Sequence, residues 1–245
     1  MRHVVWFSCG AASAVAAWLS TQLWDDTVVV YCDVMEAEHP DNQRFFNEVQ
    51  EWIGQEIITI RSDKYDAVEE VWADRRYMAG IAGAPCTTAM KKIPRYKFQD
   101  PEDIHIFGYT ADEQKRIKTF EDNNPELDAF WVLAEARITK NDCYRLLEGS
   151  HIRLPILYGL GYKNNNCLGC VKATSAKYWN MVRRDFPAVF EARSVLSRDI
   201  GAKLTRMKGQ RIFLDELPID YLPANSDVEL PDLSCGPVCS TGIEV

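Results

Sequence analysis

Cysteines are the residues with the clearest chemical potential, and the chain has eight of them. Cys167 and Cys170 form a C-x-x-C pair, and two thiolates at this spacing can bind one metal ion or one iron–sulfur cluster. Cys86 is a third candidate ligand, and Cys239 or Cys235 in the C-terminal tail is a candidate for the fourth. A redox dithiol is less favoured, because such a pair usually opens the helix that follows a first strand.

A turn of small residues near the N-terminus is the second candidate site. It follows an apolar run at residues 3–7 and precedes an Ala-rich helical pattern that begins at Ser13 or just before it. Small side chains let the backbone approach a ligand, and the N–H groups of a first helical turn attract anions. The alternative is an ordinary strand–turn–helix corner. The predicted phosphate-binding turn consists of Ser8, Cys9, Gly10, Ala11, Ala12 and Ser13. The helix terminus is also expected to lower the pKa of the Cys9 thiol.

Composition narrows the class of protein. The 245 residues suffice for a large core, and the net charge of −8 argues against a broad basic surface for nucleic acid. No apolar run is long enough to span a bilayer, and no signal peptide is recognisable. We therefore expect a cytoplasmic protein whose cysteines bind metal or perform thiol chemistry rather than form disulfides. The sequence is compatible with an oligomer and specifies no state.

The elements that must position these residues follow a β-α-β pattern. Apolar runs predict strands at residues 3–7, 27–31, 56–60, 104–107 and 130–134, with helical periodicity at 39–54, 65–76, 87–97, 140–147, 175–185 and 187–196. This alternation predicts a doubly wound, mainly parallel five-stranded α/β sheet with flanking helices. We expect a nucleotide-binding domain over residues 1–150. Residues 151–245 are expected to form a small helical and irregular part that carries cysteines.

Further candidates lie where predicted strands end, because ligands bind at the carboxyl edge of such sheets. Asp33 follows the second strand and can accept a ribose hydroxyl, although a lone Asp is more often a helix cap or a loop residue. Gly108, Asp112 and Arg116 follow the fourth strand, and Arg116 can lean back over the loop. Lys92, about one and a half turns after Cys86, can neutralise negative charge beside a cluster or a sulfate.

The small-residue turn resembles the S-G-G-x-D-S pyrophosphate loop of the adenine-nucleotide α-hydrolase superfamily. Ser8, Gly10 and Ser13 match that motif, whereas Cys9 replaces a glycine and Ala12 replaces the aspartate. Without that aspartate the loop can still hold a phosphate or sulfate, but the resemblance to ATP-cleaving members is weaker. The resemblance implies an adenine nucleotide as ligand: ATP or a sulfonucleotide.

Over roughly residues 3–200 the chain is similar to phage and bacterial proteins of the phosphoadenosine phosphosulfate (PAPS) reductase-like family. The shared segments are Cys86-Thr87 followed by Lys91-Lys92-Ile93-Pro94, then Gly108 with Ala111-Asp112-Glu113 and Arg116, and finally Cys167 and Cys170 before Tyr178-Trp179. Reductases of this family that carry a 4Fe–4S cluster bind it through a Cys-Cys pair and a later C-x-x-C. Here Pro85 and Thr87 flank Cys86, so the resemblance implies three ligands, Cys86, Cys167 and Cys170. The fourth position is then filled by a tail cysteine, Cys239 or Cys235, or it is an open iron position.

The resemblance implies an enzyme of sulfur metabolism that acts on PAPS or adenosine phosphosulfate (APS). A tail cysteine, Cys239 or Cys235, would act as nucleophile, and a thioredoxin-type protein would be the reductant. The tail lacks the ending typical of these reductases. One alternative is an ATP-dependent sulfur transferase that thiolates a nucleobase and would therefore bind nucleic acid. The other is a zinc-stabilised nucleotide-binding module without catalysis.

Overall fold

A five-stranded, all-parallel sheet forms the centre of the computed structural model, which describes residues 1–80 and 83–221. Its strand order is β3-β2-β1-β4-β5. The strands are β1 (His3–Phe7), β2 (Thr27–Cys32), β3 (Ile57–Ile60), β4 (Ile104–Phe107) and β5 (Ala129–Phe130). His3 of the central strand β1 pairs with Thr27 on one side and with Ile104 on the other. The predicted doubly wound α/β class is confirmed.

Helices cover both faces of the sheet and continue beyond it. They are α1 (Ala11–Leu23), α2 (Asp41–Ile53), α3 (Val68–Arg75), α4 (Pro85–Thr87), α5 (Ile93–Phe98), α6 (Gln114–Asn123), α7 (Val132–Glu135), α8 (Lys140–Gly149), α9 (Ile156–Gly159), α10 (Ala176–Asp185) and α11 (Pro187–Ile200). Short 3₁₀ helices lie at Met35–Ala37 and Leu214–Glu216, and a β6 (Thr205–Met207) to β7 (Gln210–Ile212) hairpin follows α11. Within the described ranges, no helix is long and apolar enough to cross a membrane.

Burial on both faces explains the apolar strand sequences. Val5 and Phe7 of β1 pack with α1 on one face, whereas Val4 and Trp6 pack on the other. Strands of parallel sheets are buried on both sides and therefore read as continuous apolar runs.

A third core cluster lies beside the sheet and joins the two predicted parts of the chain. Trp72 of α3 packs there with Trp179 of α10 and Phe190 of α11. Residues 151–221 therefore share a hydrophobic core with residues 65–90.

Two predicted elements differ from the structure. The strand expected at residues 130–134 ends at Phe130, and α7 follows it. Trp131 packs on one sheet face while Val132 and Leu133 pack with the α1 cluster, and a helical turn lets consecutive residues reach these two surfaces.

The helix expected at residues 87–97 is interrupted by a π-helical turn at Thr88–Lys92. Pro94 lies at the start of α5 and has no N–H to donate, so the wider turn forms just before it.

Candidate functional site

The predicted anion turn lies between β1 and α1, and Ser13 organises it. Its buried hydroxyl oxygen accepts the N–H groups of Ser8 at 3.1 Å and Gly10 at 3.3 Å. It also accepts the Ser8 hydroxyl at 3.2 Å and donates to the Gly10 carbonyl at 3.0 Å. A single side chain therefore folds the turn back on itself. Ala12 and Ser13 belong to the first turn of α1, whose N–H groups have no acceptor inside the helix.

Gly108 brings the end of β4 against this turn. A Cβ added at Gly108 would lie 2.6 Å from the Ser13 nitrogen and 2.7 Å from its Cα. The backbones of the β4 loop and of α1 therefore touch in a way that only glycine permits. The predicted residue Gly108 does lie at the anion turn.

Three hydroxyl groups surround Gly10. A Cβ added there would lie 3.6 Å from Tyr158 Oη, 3.8 Å from Ser8 Oγ and 3.9 Å from Ser13 Oγ. Tyr158 belongs to α9, and its hydroxyl accepts the N–H of Ala11 at 3.2 Å. Sequence reasoning missed Tyr158, because no local pattern links a tyrosine 147 residues away to this turn.

Cys9 contributes a buried thiol in a left-handed backbone conformation, with φ of 53°. Burial raises the pKa of this thiol well above its ordinary value, and the charge of Glu38 raises it further. The expectation that the helix terminus lowers this pKa is therefore wrong, because removal from solvent outweighs the dipole. Cys9 fills space in the turn as a neutral thiol.

A buried polar network connects the turn to the cysteine-bearing segment. Asn165 Nδ2 donates to the Cys9 carbonyl at 2.6 Å and to Asn42 Oδ1 at 2.8 Å. Asn42 Nδ2 in turn donates to Glu38 Oε2 at 2.7 Å, and the Tyr31 hydroxyl donates to the same oxygen at 3.2 Å. The segment before the C-x-x-C pair is therefore held directly against the anion turn.

The C-x-x-C turn itself is held by charged and polar partners. The buried Arg193 donates to the carbonyls of Leu168 and Gly169, both at 3.4 Å, and to Glu69 Oε1 at 2.6 Å. The Cys170 N–H donates to the Tyr178 hydroxyl at 2.8 Å.

The predicted metal ligands share one environment without forming a metal site. Cys86, Cys167 and Cys170 all pack in or against the cluster that contains Trp179. Across residues 1–80 and 83–221, however, no group of three or more His, Cys, Asp or Glu side chains is arranged to hold a metal ion. The described residues do not fit the expected cluster, and the three-cysteine site stays a prediction. Cys235 and Cys239 lie outside the described residues.

Two further cysteines are buried, as expected of small apolar side chains. Burial raises the pKa of Cys32 to about 11 and that of Cys143 to about 12. Lys91, only 6% exposed, lies near enough to Cys9 and Cys32 to oppose both shifts. The sequence favoured Lys92, which is half-buried on the same π-helical turn.

Asp33 lies at the carboxyl end of β2, beside a cleft of about 720 Å³. Its carboxylate accepts the Met35 N–H at 3.1 Å and Arg61 Nη2 at 2.6 Å. The Arg61 side chain is 69% exposed, so this ion pair is weak enough for a ligand to displace. Tyr65 and Met90 add apolar surface to the cleft.

A second cleft, of about 930 Å³, opens beside β4 and α6. The predicted residues Asp112 and Arg116 line it: Asp112 accepts the Thr110 hydroxyl at 2.6 Å, and Arg116 pairs with Glu113. The cations that line this cleft are Lys115, Arg116, Lys140 and Lys163. Sequence reasoning did not select Lys140 and Lys163, because isolated lysines resemble any solvated surface.

No family model matches the chain, and no curated protein matches it either. The described residues define an α/β protein with a parallel doubly wound sheet and a hydroxyl-lined turn at its carboxyl edge.

Proposed function

We propose that this chain is a PAPS-reductase-like enzyme of sulfur metabolism that binds an adenine sulfonucleotide at the β1–α1 turn. The observation that carries the proposal is the convergence of hydroxyl groups around Gly10 at the start of α1. Hydroxyl donors and first-turn N–H groups are the chemistry that binds a phosphate or sulfate group. The resemblance of residues 8–13 to a pyrophosphate loop supports the same ligand.

The two clefts fit the remaining parts of such a nucleotide. The cleft beside Asp33 offers a carboxylate for a ribose hydroxyl, and the buried side chains of Tyr65 and Met90 form part of its wall. The cleft beside Arg116 offers cations for a further anionic group. Both clefts and the turn lie at strand ends on the carboxyl edge of one sheet, where α/β proteins bind ligands.

The proposed reaction is a two-electron reduction of the sulfonucleotide at sulfur. A cysteine thiolate, supplied by Cys239 or Cys235, attacks the sulfur, forming an S–S bond and breaking the S–O bond to the nucleotide phosphate. The nucleotide leaves with both electrons of that bond. A thiol of a thioredoxin-type reductant then attacks the cysteine sulfur and releases sulfite, and the resulting disulfide is the oxidised product. The proposed setting is the cytoplasm, where thiols stay reduced.

The cofactor expected by resemblance is a 4Fe–4S cluster, with zinc as the alternative. No step is assigned to it, because the described residues do not bring Cys86, Cys167 and Cys170 into a metal-binding group. Iron, zinc and acid-labile sulfide content of anaerobically purified protein would test the expectation. About four irons per chain, lost in Cys167→Ala, would support a cluster, whereas zinc at about one per chain would support the structural alternative.

Binding and turnover test the function. We expect APS or PAPS to bind, AMP to compete, and sulfite to be released when a thioredoxin-type reductant is present. Gly10→Ala places a methyl group between the three hydroxyls and is expected to abolish binding of phosphate-bearing ligands. No binding of any adenine nucleotide to the wild-type protein would contradict the proposal.

The second candidate is ATP-dependent thiolation of a nucleobase in RNA. The cleft lined by Lys115, Arg116, Lys140 and Lys163 favours it, because a cluster of cations can hold a nucleic-acid backbone despite the net charge of −8. Salt-dependent RNA binding that is lost in Lys140→Gln, together with ATP hydrolysis, would favour this function over the reductase.

A further inference from the structure

We propose that Tyr158 is a ligand-binding residue of the β1–α1 turn, and that its phenolic O–H donates a hydrogen bond to the oxyanion held over Gly10. The inference rests on the proposed function and deepens it. It assigns part of the anion site to α9, outside the predicted nucleotide-binding domain at residues 1–150.

The hydrogen bonds around Tyr158 determine what its hydroxyl can offer. A phenol oxygen has one proton to donate and two lone pairs. The Ala11 N–H donates to this oxygen at 3.2 Å and occupies one lone pair. The backbone of Asn165 lies near enough to lower the pKa of the phenol, an effect smaller than that of burial. The hydroxyl proton must therefore point away from the Ala11 N–H.

The geometry around Gly10 indicates where that proton is useful. Tyr158 Oη lies within 3.6 Å of the point where a Gly10 side chain would begin, and the Ser8 and Ser13 hydroxyls flank the same point at 3.8 and 3.9 Å. The Ser8 and Ser13 protons are already donated within the turn, so Tyr158 supplies the O–H that a tetrahedral phosphate or sulfate group above Gly10 accepts. Glycine keeps this space open, since any larger residue would project into it.

Tyr158 remains a donor at physiological pH and is held in place. Burial raises the pKa of its hydroxyl, so the proton stays on the oxygen. Its ring packs edge-on against Tyr144, with centroids 5.3 Å apart, and Lys140 Nζ lies 5.9 Å from the ring centroid. Lys140 Nζ also donates to the Lys163 carbonyl at 2.7 Å, which ties α8 to the segment after α9. The phenol is therefore positioned before any ligand arrives, and little ordering is left to do on binding.

The test is Tyr158→Phe, which removes one oxygen and keeps the ring packing. Calorimetry would compare APS, inorganic sulfate and adenosine, which has no phosphate or sulfate. A hydrogen bond to a charged group implies that affinity for APS and sulfate falls about 10- to 100-fold, while affinity for adenosine stays unchanged. Tyr144→Phe is the matched control, with an expected change of less than about twofold for each ligand.

The outcomes separate this inference from the proposed function. Wild-type affinity for APS in Tyr158→Phe, or an equal loss for APS and adenosine, would mean that Tyr158 has only a structural role. Failure of the wild-type protein to bind APS or sulfate would overturn the proposed function as well. If sulfate binds and APS does not, the site takes free inorganic anions, and the sulfonucleotide function is wrong while the role of Tyr158 survives.

A second variant keeps the experiment decisive if Tyr158→Phe folds poorly. Incorporation of 3-fluorotyrosine at position 158 retains the oxygen and lowers the phenol pKa. The more acidic phenol is a stronger O–H donor, so affinity for sulfate should rise while affinity for adenosine stays unchanged. Unchanged affinity for sulfate would overturn the proposal.

Discussion

A methyl group added at Gly108 is predicted to damage the fold, whereas a methyl group added at Gly10 is predicted to damage mainly ligand binding. In Gly108→Ala the new Cβ would lie 2.6 Å from the Ser13 nitrogen and 2.9 Å from the Ala12 carbonyl carbon. Ordinary contact begins at 3.4 Å, so these backbones must separate by roughly 0.8 Å. Neither neighbour is a flexible side chain that could turn away.

The expected magnitude follows from this overlap. Overpacking of this kind costs about 1–3 kcal/mol of unfolding free energy. For a chain of this size, a cost of about 2 kcal/mol, the middle of that range, lowers the Tm by roughly 4–8 °C. The shift also displaces the N–H groups of Ala12 and Ser13. A displacement near 1 Å can lower the reaction rate about 100-fold where catalysis depends on the position of the bound group.

Gly10→Ala is the matched control for the added methyl group. Its Cβ would make only ordinary contacts, at 3.6 Å or more, and the φ of Gly10 is −100°, which alanine adopts readily. We expect a loss of no more than about 1 kcal/mol from the poorer helix cap, with near-complete loss of APS binding.

Urea denaturation and calorimetry with APS on both variants would check these expectations. The reasoning would be refuted if Gly108→Ala unfolded like the wild-type protein, because the backbones would then not touch. Wild-type affinity in Gly10→Ala would equally refute it, because the space between the hydroxyls would then not be the anion site.

Three further predictions concern buried polar groups. Arg95 is fully buried and, within the described ranges, none of its three guanidinium nitrogens has a hydrogen-bond partner. Arg95→Met should therefore raise the free energy of unfolding, measured by urea denaturation, by about 1–4 kcal/mol. A lower free energy of unfolding in this variant would mean that an anion pairs with Arg95. Burial lowers the pKa of His105 to about 4, so the folded protein favours the neutral form of the ring, and the free energy of unfolding should fall as pH drops from about 6.5 towards 4. His105→Gln keeps an acceptor for Trp6 Nε1 and should flatten this part of the plot of stability against pH. An unchanged slope in that variant would mean that other groups cause the pH dependence. Asn165→Ala removes the donor to the Cys9 carbonyl and should cost about 1–3 kcal/mol, with faster hydrogen exchange in the cysteine-bearing segment; unchanged exchange would show that other contacts hold that segment.

Several features of this protein could be predicted from local sequence. The apolar runs at residues 3–7, 27–31 and 104–107 form parallel strands, because burial on both faces requires continuous apolar side chains. Gly54 ends α2 in a left-handed conformation, as a glycine after a helical pattern predicts. The turn at residues 8–13 and its proximity to Gly108 follow from the rule that parallel strands end at one sheet edge.

Tertiary structure decided which side chains meet at that edge. The contact between Tyr158 and Ala11 and the contact between Asn165 and Cys9 join residues about 150 positions apart. Such pairs depend on how α9 and its following segment dock onto the sheet, and no periodicity encodes that docking.

The protonation and the burial of single residues also needed the fold. The Cys9 thiol has a raised pKa because the folded chain removes it from water, an effect that outweighs the helix terminus visible in the sequence. Lys91 is buried on the π-helical turn whereas Lys92 is only half-buried, a difference that neighbouring identical residues cannot reveal in the sequence. The amino-acid sequence by itself therefore determined the sheet and the small-residue turn, where local burial and backbone sterics suffice. The convergence of hydroxyl groups around Gly10 and the raised pKa of Cys9 depend on long-range packing. Packing decides which distant residues meet and how far each one is removed from solvent.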